Sequence, residues 1–196
     1  ENYNDWEREN FQRNFITNGL NFAHEDDYII ISDVDEIPNL SKLSNIKKYK
    51  FTAFEQKMFY YKINLLNKTY PSWIGSKMCQ KKYLKSPQWL RDLKFKKRPF
   101  WRLDKIRLNN IIKDGGWHFC NLKTPENLLY KYKNLCETND PIHFNESIDP
   151  KYLQLDEIKK KIVSGEDIIG RKDNFIKVDL DNSFPEYLIK SRNIYK

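Results

Sequence analysis

The stretch that decides the fold runs from Tyr28 to Pro38 and reads Tyr-Ile-Ile-Ile-Ser-Asp-Val-Asp-Glu-Ile-Pro. Its first four residues are apolar or aromatic and three are β-branched, which predicts a short strand buried on both faces, as in a parallel sheet. Three carboxylates follow within four positions, and a proline closes the stretch. Open α/β sheets bind ligands in the crevice at the carboxyl ends of their strands. The stretch therefore predicts an acidic ligand site at the end of a buried strand.

Asp33 and Asp35 are the central residues of this predicted site. Alternate residues of an extended segment point to the same side, so the two carboxylates can face one point, about 6–7 Å apart along the chain. Their mutual repulsion would raise their pKa values unless a cation lay nearby. Mg²⁺ and Mn²⁺ are hard ions that bind one or two carboxylates together with substrate phosphates. The alternative is a surface turn in which Asp33 caps the turn and Glu36 lies in solvent, and these residues alone leave both interpretations open.

Length and composition predict one folded domain, residues 1–196, with a sizeable core. Aromatic residues make up 15% of the chain, which argues for a folded globule rather than disorder. The sequence contains neither an apolar run of about 18 residues nor a signal-peptide pattern. The first residue is Glu1 rather than Met, so we expect the sequence to begin inside a longer protein. The cysteines lack metal-site spacing and are expected to be buried thiols: Cys79, Cys120 and Cys136.

The net charge of +8 is compatible with nucleic acid, an anionic membrane face or a nucleotide diphosphate as partner. The densest basic clusters are Lys94–Arg98 and Lys159–Lys161, and the second lies in an amphipathic helix pattern typical of a solvated face. A nucleic-acid-binding domain with stacking aromatic residues is one alternative function. No recognised binding motif supports it, and the acidic stretch would repel phosphate unless it bound a metal, so no nucleic-acid partner is expected.

Periodicity and capping residues predict a mixed α/β chain without a clean alternation of strands and helices. Strands are predicted at the central stretch, in the region Phe51–Leu66 and at Ile106–Ile112. Helices are predicted at residues 4–18, at Leu40–Tyr49, from Thr124-Pro125 through Cys136, and from Asp149 to near Gly165. Phe11 and Phe15 lie one helical turn apart and are expected to face the core. Residues 70–76 are predicted as a turn and residues 77–104 as mostly loop.

Two further residues have alternative roles that the sequence leaves open. Trp73 is either a core or hinge residue or a platform for a sugar. His118 follows Gly115-Gly116-Trp117, and paired glycines permit positive φ angles and close approach of the backbone to a ligand. A lone histidine beside tryptophan is commonly structural, but this turn could place its imidazole near the acidic pair, where it is an acceptable Mn²⁺ ligand. No P-loop, Gly-x-Gly-x-x-Gly or zinc-deaminase pattern occurs.

Four sequence blocks stand in a characteristic order along the chain. They are Trp6–Asn14, Ile31–Pro38, Trp73–Ser76 and Gly116–Phe119. In this order they resemble glycosyltransferase family 17, which includes the β-1,4-mannosyl-glycoprotein 4-β-N-acetylglucosaminyltransferase that adds bisecting GlcNAc. The similarity extends from about Trp6 to about Cys136, and Ser32–Pro38 is its most specific part.

The resemblance implies a nucleotide-sugar transferase of the GT-A fold, with a mixed central sheet flanked by helices. The implied reaction moves GlcNAc from UDP-GlcNAc to a glycan hydroxyl with inversion. Asp33 and Asp35 would hold Mn²⁺ or Mg²⁺ against the diphosphate, with Asp35 as the direct ligand and His118 as a further candidate. Basic side chains would share the diphosphate charge. The candidate substrate-binding residues are Arg13, Glu36, Trp73, Arg91 and Trp117.

An inverting transfer also needs a carboxylate that takes the proton from the acceptor hydroxyl. The resemblance does not name this general base. Glu126, at the start of a predicted helix just after Gly116–Phe119, is the first candidate, and Asp114 is the second. The alternative for Glu126 is that it only complements the helix dipole.

The chain departs from the family pattern in two places. The family usually begins with a further segment that includes the first strand of the nucleotide-binding half, so we expect that strand to be missing here. Cys120 stands where the family has serine, and Asn134–Glu137 replaces a downstream Ser-Phe-x-His pattern. The first departure concerns the donor pocket and the second the acceptor.

These departures make a catalytically inactive sugar-binding or scaffold module on the same fold a second alternative. The compartment also stays open. Richness in Lys, Asn and Ile is typical of AT-rich genomes and favours a microbial or viral source. A microbial or viral protein would be cytoplasmic, whereas a piece of an animal-type enzyme would lie in the Golgi lumen.

Overall fold

Strands and helices alternate irregularly along the protein, as the mixed α/β prediction requires. The computed structural model describes residues 2–44, 49–94, 110–134 and 150–191. The strands are β1 (Tyr28–Ile31), β2 (Glu36–Pro38), β3 (Phe51–Tyr60), β4 (Leu65–Asn67), β5 (Ser72–Gln80), β6 (Asn110–Ile112), β7 (Gly116–Cys120) and β8 (Phe175–Lys177). The helices are α1 (Asn2–Phe15), α2 (Pro87–Asp92), α3 (Pro125–Asn134), α4 (Leu155–Ser164) and α5 (Glu186–Lys190). No helix in these ranges is long and apolar enough to cross a membrane.

The chain divides into two compact units. The N-terminal unit comprises residues 3–56 and 73–116, and the C-terminal unit comprises residues 57–72 and 117–196 together with residues 1–2. Strand β3 contributes its first six residues to the N-terminal unit and its last four to the C-terminal unit. Each unit contains both parallel and antiparallel strand pairs.

In the N-terminal unit the strand order is β1-β5-β3. β1 pairs with β5 antiparallel, from Tyr28 opposite Gln80 to Ile31 opposite Lys77, and β3 pairs with β6 in parallel. Burial alternates along β1, with Ile29 and Ile31 in the core. The strand was predicted correctly, but the prediction of a parallel strand buried on both faces was wrong. A four-residue apolar run does not distinguish a two-sided strand from an antiparallel strand with one core face.

Helix α1 presents its phenylalanine pair to solvent. Phe11 and Phe15 are 71% and 61% exposed, so the prediction that they face the core was wrong. The side of α1 that meets other elements of the unit carries polar residues instead: Arg13 binds Asp33, and Asn14 accepts a hydrogen bond from the backbone of Gln88. The helix ends at Phe15, and a 3-10 turn continues to Leu20.

Three more predictions, of a helix, a turn and a loop, fail in the described residues. The helix expected at Leu40–Tyr49 is a 3-10 turn at Leu40–Lys42, with residues 45–48 outside the described part. The turn expected at 70–76 and the loop at 77–104 contain β5 and α2 instead, and residues 95–104 lie outside the described part. Of the strand expected at Ile106–Ile112, β6 is the described part.

The C-terminal unit confirms the predicted helix at Thr124-Pro125. It begins at Pro125, and Leu128 and Tyr132 are buried; Leu135 and Cys136 lie outside the described residues. The next helix begins at Leu155, after a 3-10 turn at Pro150–Tyr152, so the predicted start at Asp149 was wrong. It ends as predicted at Gly165, which has the left-handed φ of 73° that favours glycine. Helices α3 and α4 pack together over β3 residues, including Met58 and Tyr60.

Cys79 and Cys120 are buried free thiols, as predicted, and Cys136 lies outside the described residues. Burial raises the pKa of Cys79 to about 12.

Candidate functional site

The acidic stretch forms a tight turn between β1 and β2. The backbone N–H of Glu36 donates to the Asp33 carbonyl at 3.0 Å, and Val34 and Asp35 are the central residues of the turn. The chain is therefore not extended through Asp33 and Asp35, and the side-by-side arrangement expected from strand alternation does not apply.

Asp33 lies against two arginines. Its Oδ2 accepts a hydrogen bond from Arg91 Nη2 at 2.6 Å, and its Oδ1 lies 3.4 Å from Arg13 Nη2. The side chain is 35% exposed, whereas both guanidinium groups are largely covered. The two guanidinium groups compensate the negative charge of Asp33, a role that the sequence-based prediction gave to a metal ion.

Glu36 is buried, so the alternative that placed it in solvent was wrong. Its side chain has no exposed surface and accepts hydrogen bonds from three other side chains. Arg91 Nη2 lies 2.6 Å from Oε1, Trp73 Nε1 lies 3.0 Å from the same oxygen, and Ser76 Oγ lies 3.3 Å from Oε2. The Asp33 backbone N–H also points to Oε2, at 3.3 Å. Buried charge is tolerated when it is paired and hydrogen-bonded in this way.

Arg91 joins these acids to helix α2. One guanidinium nitrogen contacts both Asp33 and Glu36, and the other donates to the Gly75 carbonyl at 2.6 Å. Burial is the largest single influence on the pKa of Arg91 and lowers it, but Glu36 and Asp33 together outweigh burial and raise the pKa. Arg91 therefore stays charged throughout the accessible pH range.

Helix α2 holds Arg91 in place through both of its ends. Ser86 caps its N-terminus by accepting from the Trp89 N–H, and Leu90 is buried in the core of the unit. At the C-terminal end, Lys77 Nζ donates to the carbonyls of Arg91 and Leu93. Burial lowers the pKa of Lys77 to about 8.

Arg13 reaches the site from α1. Its guanidinium also binds Glu9 Oε1 at 2.8 Å and the side-chain oxygen of Gln88. It therefore connects α1, α2 and the Asp33 turn.

Trp73 combines an anchored edge with an exposed ring. Its indole N–H is held by Glu36, yet the residue is 44% exposed. This exposure excludes the core role that the sequence left open. Gly75, two residues along β5, has no room for a side chain, because an added Cβ would lie 1.9 Å from Gln56 Oε1 and 2.8 Å from Glu36 Oε1.

The paired glycines make close backbone contacts inside the unit. An added Cβ on Gly116, which has φ of 146°, would lie 2.1 Å from the Ile37 carbonyl, and Gly115 exchanges backbone hydrogen bonds with Asn39 and Glu55. Close strand packing therefore accounts for both glycines without a ligand. Asp114, just before them, is exposed and has a positive φ of 48°.

Three candidate residues belong to the C-terminal unit. Trp117 is buried with Phe59 and Phe184, and its indole N–H donates to the Ser183 carbonyl, which favours a structural role. His118 Nε2 lies 3.3 Å from Cys120 Sγ. Glu126 is exposed and lies 3.3 Å from Lys159 Nζ.

The surroundings of Glu126 make it a weak base. Its own backbone N–H, followed by Lys159, lowers the pKa of the carboxyl group below its usual value. This agrees with the alternative that Glu126 complements the dipole at the start of α3.

The structure thus joins Arg13, Asp33, Glu36, Trp73 and Arg91 in one network within the N-terminal unit. Asp35 and Asp114 lie in the same unit. Gln88, Lys77 and Ser76 also support the network, and no role was predicted for them from the sequence. Of these three residues, Ser76 could have been identified from the sequence, because it ends the Trp73–Ser76 block. In the structure its hydroxyl also accepts a hydrogen bond from Ser32 at 2.6 Å.

Comparison with known proteins adds no identification: no protein-family model, curated protein or solved structure matches the chain.

Proposed function

We propose that the protein is a metal-dependent inverting glycosyltransferase of the GT-A type that moves GlcNAc from UDP-GlcNAc to a glycan hydroxyl. The observation that carries the proposal is the Asp33–Glu36 turn, which follows β1 directly and is bound on one side by two arginines. An acidic turn beside fixed cations suits a ligand that brings a diphosphate and a divalent ion together. The order of the four sequence blocks supports the same family.

The turn suits binding of Mn²⁺ or Mg²⁺ by one carboxylate ligand rather than by two. Asp33 already balances Arg91 and Arg13, which weakens its attraction for an ion. Asp35 is half-buried in the same turn and is the residue that would hold the metal, with diphosphate oxygens as further ligands. When bound, the ion would supply Lewis-acid stabilisation of the departing UDP.

The chain's own residues supply orientation and charge. Arg91 and Glu36 fix the Asp33 side chain, and the two arginines offset part of the acidic charge that the donor diphosphate would meet at the turn. In the transfer, the acceptor oxygen forms a bond to the anomeric carbon as the bond to UDP breaks. The hydroxyl proton passes to a carboxylate. Of the two candidate bases, Asp114 is favoured, because Glu126 is paired with Lys159 and has a lowered pKa.

The test is calorimetric titration of UDP and UDP-GlcNAc into the protein, first with Mn²⁺ and then with EDTA. We expect binding that requires Mn²⁺ and that falls at least about tenfold in Asp35→Asn, since a direct ligand is lost. Asp179→Asn is the matched control, because it makes the same chemical change at an exposed position of the C-terminal unit. Unchanged UDP affinity in Asp35→Asn would overturn the metal assignment.

An inactive sugar-binding module is the second candidate function. The observation in its favour is that Asp33, half of the expected metal-binding pair, is already neutralised by arginines. Sugar binding without any Mn²⁺-dependent binding of UDP, in a folded sample, would select this function over the transferase.

A further inference from the structure

We infer that the exposed face of Trp73 is a binding platform for a pyranose ring and that buried Glu36 is the positioning residue that holds it. The inference rests on the proposed function, which supplies a sugar as substrate, and it adds the place where a sugar ring binds. Single exposed apolar residues are common on protein surfaces and need no explanation. Trp73 differs because a fully buried carboxylate fixes the orientation of an exposed ring.

The anchoring of the ring is the first step. Glu36 Oε1 accepts from Trp73 Nε1 at 3.0 Å, and the same oxygen accepts from Arg91 at 2.6 Å. Because Glu36 is enclosed by Ser76, Arg91 and the Asp33 backbone, the indole is tied to a rigid point rather than to a mobile side chain. A preorganised ring loses less conformational freedom when a ligand stacks on it, which raises affinity.

The surroundings of the ring select the chemistry of the ligand. Trp73, Glu36 and Asp33 are linked through shared hydrogen bonds, and the Asp33 carboxylate is partly exposed. A pyranose presents an apolar C–H face for stacking and hydroxyl donors at its edge, which carboxylate oxygens can accept. Uracil presents a single N–H donor between two carbonyl acceptors at its edge, so it offers carboxylates fewer donors than a pyranose does. The acidic neighbourhood therefore favours a sugar ring over the base of the donor.

The experiment follows the indole N–H of Trp73 by two-dimensional ¹⁵N NMR, with the peak assigned by its loss in Trp73→Phe. Methyl β-N-acetylglucosaminide is titrated to concentrations well above a millimolar dissociation constant, and uridine is titrated separately. We expect the sugar to shift this peak, and Trp73→Ala to weaken sugar binding about tenfold. Trp73→Phe keeps a stacking face without the N–H and should lose less affinity than Trp73→Ala.

Phe22→Ala is the matched control, because it removes an exposed aromatic ring from the same unit and should leave sugar binding unchanged. Glu36→Gln tests the positioning role: it should move the Trp73 peak before any sugar is added and weaken sugar binding, because the tryptophan is retained but its indole N–H loses the charged acceptor that orients it. A Trp73 peak unmoved by that substitution would contradict the positioning role.

Parallel titration of UDP with Mn²⁺ separates this inference from the proposed function. Wild-type protein that binds UDP but shows no sugar-dependent shift of Trp73, or a shift with uridine alone, overturns the platform. A sugar-dependent shift without UDP binding keeps the platform and overturns the transferase. Loss of UDP binding in Trp73→Ala would assign Trp73 to the donor nucleotide and also overturn the inference.

Discussion

Gly75 shows at the scale of one residue how tightly the candidate site is packed. Its missing side chain leaves the space that Gln56 and Glu36 occupy, and its carbonyl accepts from Arg91. We predict that Gly75→Ala lowers the free energy of unfolding by about 1–3 kcal/mol, because the added methyl group must displace the buried Glu36 and Gln56 side chains. Urea denaturation gives this value.

The control for this prediction is Gly19→Ala. An added Cβ on Gly19 has no atom within 4 Å, so the same substitution there should be neutral or slightly stabilising. Equal stability of wild-type protein and Gly75→Ala would mean that the packing around Glu36 is looser than described.

The sequence predicted the acids of this site but not their partners. Asp33, Asp35 and Glu36 lie within four consecutive positions, so their clustering was visible in the sequence. The partner that sets the geometry, Arg91, lies 58 residues from Asp33. Local patterns carry no information on such a pairing, and the basic composition offered many equivalent arginines and lysines. Arg91 was predicted to bind substrate, but its pairing with Asp33 and Glu36 was not predicted. The burial of Glu36 was not predicted either.

At the scale of an element, helix α2 depends on Lys77 at its C-terminal end. Burial lowers the pKa of this lysine to about 8 from an ordinary value of 10.5. Between these two values the unfolded chain binds the proton and the folded chain does not, so the contribution of Lys77 to stability rises with pH in this window. Below pH 8 both states are protonated and the cost of burying the charge is fully present.

We therefore predict that the stability difference between wild-type protein and Lys77→Met shifts in favour of the wild type from about pH 7.5 to about pH 10. Urea denaturation at both pH values measures it. Lys62→Met, at an exposed position, is the control for the general effect of removing a positive charge. A flat profile for Lys77→Met would show that this lysine titrates normally in the folded protein.

Helices with strong capping signals were predicted well and short ones were not. Thr124 and Pro125 gave the start of α3, and Gly165 gave the end of α4. Helix α2 has only six residues, which gives too little periodicity to recognise, although Ser86 and Pro87 are a standard helix start. The phenylalanine pair of α1 misled the prediction, because spacing identifies which residues share a face but not which face is buried.

At the scale of the whole molecule, the division into two units was not predicted from the sequence. The boundary between the units falls inside one long strand, so no break in the sequence pattern marks it. β3 pairs with β6 through Thr52–Phe54 and with β7 through Lys57–Tyr60. These two pairings fall in different units, yet they use two segments of a single strand that are only two residues apart. Because one strand contributes to both units, the continuity of β3 is a covalent route for coupling their stabilities.

We predict from this that the protein unfolds in one cooperative transition and that a defect in either unit lowers the same midpoint. Gly75→Ala perturbs the N-terminal unit. Asp167→Asn perturbs the C-terminal unit, where buried Asp167 accepts hydrogen bonds from Tyr61 and Arg171, and should cost about 2 kcal/mol. Urea unfolding is followed by far-UV circular dichroism and by tryptophan fluorescence. For each of the three proteins the two signals should give the same unfolding curve, and the midpoint should be lower in both variants than in the wild type. Two separated transitions, with each variant shifting only one, would mean that β3 does not couple the units.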